Sequence, residues 1–124
     1  MMEISELKGK VLTSISGASN GGTEIIFNCD DGTKYKMYHR QDCCEHVIID
    51  DVNGDVSDLI GSPLLIAEEV SNDEFTRSHE FNSYTPDSFT WTFYKLATKN
   101  GYVNIRWYGE SNGYYSERVD FEQI

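Results

Sequence analysis

Apolar and polar residues alternate with a period of two over most of this chain, which is the pattern of half-buried β-strands. In KVLTSIS (residues 10–16), Val11, Thr13 and Ile15 alternate against Leu12, Ser14 and Ser16. TEIIFNC and TKYKMYH follow, joined by Asp30, Asp31 and Gly32. A three-residue loop there opposes Phe27 to Tyr35, Ile25 to Met37 and Thr23 to His39, all apolar pairs on one face except the last. A two-residue Asp-Gly turn would oppose Phe27 to Lys36, so burial favours the longer loop. HVIID (residues 46–50) reads as a short strand. NGDVSDLIGSP (residues 53–63) reads as a turn feeding one short helix, with Asp55 or Ser57 as N-cap and Gly61 and Pro63 after its end. PLLIAEEVS is a further strand, and residues 72–88 have no clear period and read as a long surface loop. SFTWTFYKLAT, the pair Asn100-Gly101 and YVNIRWYG form a hairpin opposing Leu96 to Ile105 and Tyr94 to Trp107. A second turn at SNG opposes Ile105 to Val119 and Val103 to Phe121. The opposite face carries Phe93, Lys95, Arg106 and Tyr108, with Tyr114 nearby, as either a second packed layer or an exposed contact patch.

These elements predict an α+β, mostly β domain spanning residues 1–124. Its sheet is twisted and antiparallel, with about seven or eight strands, open or curled on itself, and carries one short helix. A chain of 124 residues can bury a core without disulfide staples. Three cysteines, two of them adjacent, fit a reducing compartment better than a secreted disulfide framework. The N-terminus MMEISELKGK lacks an apolar signal region, and no stretch approaches the roughly 18 to 20 apolar residues of a membrane span. A cytoplasmic protein is expected.

Charge narrows the range of partners. Twenty-one acidic against 10 basic residues leave a net charge of −11, which disfavours nucleic acid and anionic membranes as direct ligands. From Arg40 to Arg77 there is no intervening Lys or Arg, while Asp50, Asp51, Asp55, Asp58, Glu68 and Glu69 lie between them. Such a one-sign block is a solvated face or a surface complementary to a basic partner.

The densest chemistry is YHRQDCCEH, residues 38–46. His39, Asp42, Cys43, Cys44, Glu45 and His46 offer imidazole, carboxylate and thiolate donors within a few residues, the mixture that zinc takes in tetrahedral sites. The inward register of His39 directs it toward this cluster. Cys29 lies at the far end of the hairpin and is expected to be a structural thiol. Buried small cysteines beside a hydrogen-bonded histidine are the alternative. A Cys-His nucleophile pair is disfavoured by the surrounding carboxylates, and neither H-x-E with P-C-x-x-C nor H-E-x-x-H is present, so an enzyme is not expected.

The runs YHRQDCCEHVIIDDVNGDVSDLIGSPLLIAEEVSN and TWTFYKLATKNGYVNIRWYGESNGYYSERVDF resemble a family of small phage and prophage proteins that carry a domain of unknown function. The motifs that carry the resemblance are Y-H-x-Q-D-C-C-E, G-D-x-x-D-L-I-G-S-P and R-W-Y-G-x-S-N-G-Y-Y-S. Similar proteins are associated with inhibition of Cas9, as type II-A anti-CRISPRs. The resemblance implies a structural zinc at His39, Asp42, Cys43, Cys44 and Glu45. It also implies that the partner is host Cas9, or another basic nucleic-acid-handling protein, met in the bacterial cytoplasm through the acidic block. A small phage metalloenzyme or thiol enzyme, and a phage accessory module with no Cas9 role, are the alternatives.

Overall fold

The computed structural model describes residues 2–72, 88–112 and 116–124. Its strands are β1 (Leu12–Ser16), β2 (Glu24–Cys29), β3 (Lys34–Tyr38), β4 (His46–Asn53), β5 (Ile66–Asn72), β6 (Ser88–Thr98), β7 (Gly101–Ser111) and β8 (Asp120–Gln123). They form two four-stranded antiparallel sheets, ordered β1-β2-β3-β8 and β4-β7-β6-β5. The alternation expected of a mostly β chain is therefore divided between two layers, with no closed barrel. The β2–β3 hairpin has the register that burial required, with Ile25 opposite Met37 and Phe27 opposite Tyr35.

Two other registers differ from expectation. In the β6–β7 hairpin Thr98 pairs with Gly101, so Lys99 and Asn100 are the loop residues, and Leu96 faces Val103 and Tyr94 faces Ile105. Thr98 draws the turn one residue back: its hydroxyl donates to the Asp58 carbonyl and accepts from the Asn100 N–H. The shift is by two residues, so each side chain keeps its face. β8 pairs with β3 and not with β7, placing Phe121 opposite Met37. Phe121 stacks on Tyr35 at 5.4 Å between ring centroids and lies 6.2 Å from Phe27, an aromatic cluster that holds β8 on this sheet.

The inner faces of both sheets share one core that includes Ile25, Phe27, Met37, Ile49, Tyr94, Leu96, Ile105 and Trp107. Trp107 is fully buried and its indole N–H donates to the Met37 sulfur across the layers at 3.3 Å. The expected short helix is a 3-10 turn at Val56–Leu59, capped by the Asp55 carboxylate accepting from the Ser57 N–H; a second 3-10 turn at Ile4–Leu7 was not foreseen. Most of the expected 72–88 loop, and Tyr114, lie outside the described residues. Among the described residues no helix is long and apolar enough to cross a membrane.

Candidate functional site

The cluster singled out in the sequence is the crossover that carries the chain from β3 in one sheet to β4 in the other. After Tyr38 the strand ends, and residues 39–45 turn back on a single side chain, Glu45. Its Oε2 accepts from the Asp42 N–H at 2.9 Å and its Oε1 from the Cys43 N–H at 2.9 Å. The Gln41 amide reaches Glu45 Oε1 at 3.2 Å and the Glu45 carbonyl at 2.7 Å. His39 Nε2 lies 2.8 Å from Glu45 Oε2, and its Nδ1 lies 2.6 Å from the Arg118 carbonyl oxygen. Both neighbours of the ring are acceptors, so both contacts are hydrogen bonds when the imidazole carries two protons and pairs as a cation with the carboxylate.

Burial pushes the Glu45 carboxyl upward, yet the Cys43 N–H, the His39 ring and the Asp42 N–H hold it down to about 2. His39 and Glu45 are almost wholly enclosed, with side-chain exposures of 4% and 0%. Because Arg118 belongs to the segment that returns from β7 to β8, His39 ties the two crossovers between the sheets together. The Arg40 N–H donates to the Asp120 carboxylate at 2.9 Å and strengthens the same junction.

This arrangement differs from the expected tetrahedral zinc site. Cys43 and Cys44 are joined to each other in a disulfide, both Glu45 oxygens and both His39 nitrogens face protein partners, and Asp42 is exposed. Among the described residues no group of three or more His, Cys, Asp or Glu is disposed to hold a metal ion. As folded, Glu45 closes the turn through hydrogen bonds to the turn's own backbone and to His39. His46 begins β4 with its side chain exposed, and Cys29 is a free thiol buried in the core, as its place in the hairpin required.

The proposed partner-binding residues are divided by the fold. Asp50 accepts from Arg106 Nε at 2.7 Å, and Asp51 lies one residue on, in register with Arg106 across the β4 bulge. Asp55 caps the 3-10 turn, which holds its carboxyl below the usual range through the Ser57 hydroxyl and N–H. Asp58 lies against Gly101, where an added Cβ would come 2.7 Å from its carboxylate. Glu68 is exposed opposite Lys95, whereas Glu69 is opposite Tyr94 and lines a depression with Thr92 and Glu117.

Sequence reasoning missed Glu117. This carboxylate is buried and accepts from the Thr90 hydroxyl at 2.8 Å and the Ser111 hydroxyl at 2.6 Å. It lines an open depression of about 440 Å³ with Glu69, Ser71, Thr92 and Arg118. Its one signal was Gly109, where a Cβ would stand 2.8 Å from the Glu117 carbonyl, so this glycine lets the returning chain cross β7 closely. Gly54 acts similarly: its φ is +118° and a Cβ would lie 2.4 Å from the Tyr102 carbonyl. These motif residues thus build crossovers and turns.

The chain belongs to a family defined by a domain of unknown function, DUF7448, whose model matches residues 5–121. No curated protein and no solved structure matches the chain significantly.

Proposed function

We propose that this DUF7448 chain is a non-enzymatic binding module that docks on a basic, nucleic-acid-handling protein in the host cytoplasm, and that Cas9 is that protein. The observation that carries the reading is the acidic surface: a net charge of −11, with no Lys or Arg between Arg40 and Arg77. Asp51 on β4 and Glu68 on β5 bring part of that block to the two edge strands of one sheet. Cas9 holds guide and target in positively charged channels, so carboxylates can occupy positions where phosphates would lie. The choice of Cas9 among basic proteins rests on the resemblance.

The non-enzymatic part of the reading is supported by the crossover cluster. The two enclosed groups there with catalytic potential are engaged internally: His39 with Glu45 and Arg118, and Glu45 with three residues of its own turn. A nucleophile or general base needs a face open to substrate.

A pull-down of purified Cas9, with and without guide RNA, tests the proposal. Retention of Cas9 by the wild-type chain, weakening as salt rises through the range where the screening length is about 8 Å, is the expected result. Absence of retention in both states would leave a phage accessory module directed at another partner.

A further inference from the structure

The sheet β4-β7-β6-β5 buries one face in the core and leaves the other without a covering layer among the described residues. Register fixes what that outer face carries. Asp51, Arg106, Phe93 and Val70 form one row across the four strands, and Asn53, Asn104, Lys95 and Glu68 form the next. Tyr102, paired with Ala97, continues the face toward the β6–β7 turn. Val70 is 61% exposed, Tyr102 54% and Phe93 38%, so among the described residues three of the five exposed large apolar side chains lie on one sheet face. Two of the rows border a groove of about 460 Å³.

Carboxylates surround this apolar centre. Asp50 and Asp51 lie along β4 and Glu68 along β5, the two edge strands. Two cations oppose these three anions. Arg106 is bound by Asp50 and lies over the Trp91 ring at 5.1 Å, and Lys95 is in register with Glu68. An apolar, aromatic centre inside a polar rim is the anatomy of a protein-binding surface. The sign of the rim selects the occupant: a second copy would set acidic rim against acidic rim on two chains of charge −11, whereas a patch bearing Arg and Lys around an apolar protrusion is complementary.

We infer that this outer face, centred on Phe93, is the docking surface for the basic protein partner, with Phe93, Val70 and Tyr102 carrying the lifetime of the complex and the carboxylate rim carrying its rate of formation. The inference rests on the functional reading above and adds the place and the division of roles. Aromatic anchors at an interface centre dominate dissociation, while rim charges act on encounter and its salt dependence.

The experiment measures association and dissociation rates of guide-loaded Cas9 on the immobilised chain. Phe93→Ala and Tyr102→Ala should each weaken binding by about tenfold or more through faster dissociation, leaving the salt dependence of association unchanged. Asp51→Lys combined with Glu68→Lys should slow association and flatten its salt dependence. Ile124→Ser, which removes an exposed apolar residue just beyond β8 on the other sheet, should bind as wild type. All of these positions are at least partly exposed, and matched melting curves establish that each variant is folded. Wild-type binding with Phe93→Ala and Tyr102→Ala both within twofold overturns the surface assignment alone. Wild type that does not bind Cas9 overturns the functional reading, and this inference with it.

Discussion

Replacing Glu45 with Gln removes the one charge on which the β3–β4 crossover closes while preserving side-chain size. In the folded chain the Glu45 carboxyl titrates at about 2 in place of the usual 4.5, held down by the Cys43 N–H, the His39 ring and the Asp42 N–H against the opposing effect of burial. A lowered folded-state value means that the stability contributed by the carboxylate is fully present above about pH 4.5 and is lost as pH falls through 2. Between those limits the native chain keeps Glu45 ionised while the unfolded chain protonates it. Unfolding therefore takes up close to one proton at this position near the middle of the window, and none there in the Gln variant. Asp31 and Asp55, whose carboxyls are also lowered by their hydrogen bonds, contribute to both proteins and cancel in the difference. Urea unfolding of wild type and Glu45→Gln at a series of pH values from 2 to 5 gives the two slopes of stability against pH. Slopes differing by about one proton are expected, with the variant less stable at neutral pH because an amide cannot accept from the Asp42 and Cys43 N–H groups with both of its polar atoms. Identical slopes would refute the assignment of Glu45 as the ionised closure of the turn.

Two glycines with nearly equal φ should respond differently to Ala: Gly32→Ala (φ +87°, open space around it) should cost about 1 kcal/mol, and Gly17→Ala (φ +86°, a Cβ that would meet the Glu24 carbonyl) should cost several-fold more; equal losses in denaturant midpoints would contradict the packing described. Protein purified with reductant and without chelator should carry well below one metal per chain and keep its melting temperature in EDTA, since Glu45 and His39 close the crossover themselves; stoichiometric zinc whose removal melts the protein would contradict that geometry.

What could be read from the chain depended on how many independent constraints met at each residue. The β2–β3 register was legible because Phe27, Ile25, Tyr35 and Met37 all had to face one way, and a one-residue slip would have exposed every one of them. The partner of β8 was not legible, because a strand of only four residues, with Phe121 its one buried large side chain, satisfies alternation against either sheet; the stacking on Tyr35 that decides it is a tertiary contact. The crossover cluster was legible as a place, and its hydrogen bonding was not. Donor-rich side chains suggested a metal, whereas closure comes from backbone N–H groups of Asp42 and Cys43 whose direction no residue pattern encodes. The acidic block was legible as charge, yet the fold separates Glu69 from Glu68 by placing neighbours in a strand on opposite faces. The face bearing Phe93, Lys95, Arg106 and Tyr108 was legible as a set with two readings, and exposure of Phe93 favours the contact patch.

The central claim is that this acidic chain competes with nucleic acid for a basic protein. Anisotropy of a labelled target duplex bound to guide-loaded Cas9, followed as unlabelled wild-type chain is added, tests it most directly. The account predicts displacement of the duplex to saturation, parallel protection of the DNA from cleavage, and loss of displacement in the Asp51→Lys, Glu68→Lys double variant. A duplex that stays bound and is cut at an unchanged rate at every concentration of the chain would contradict it.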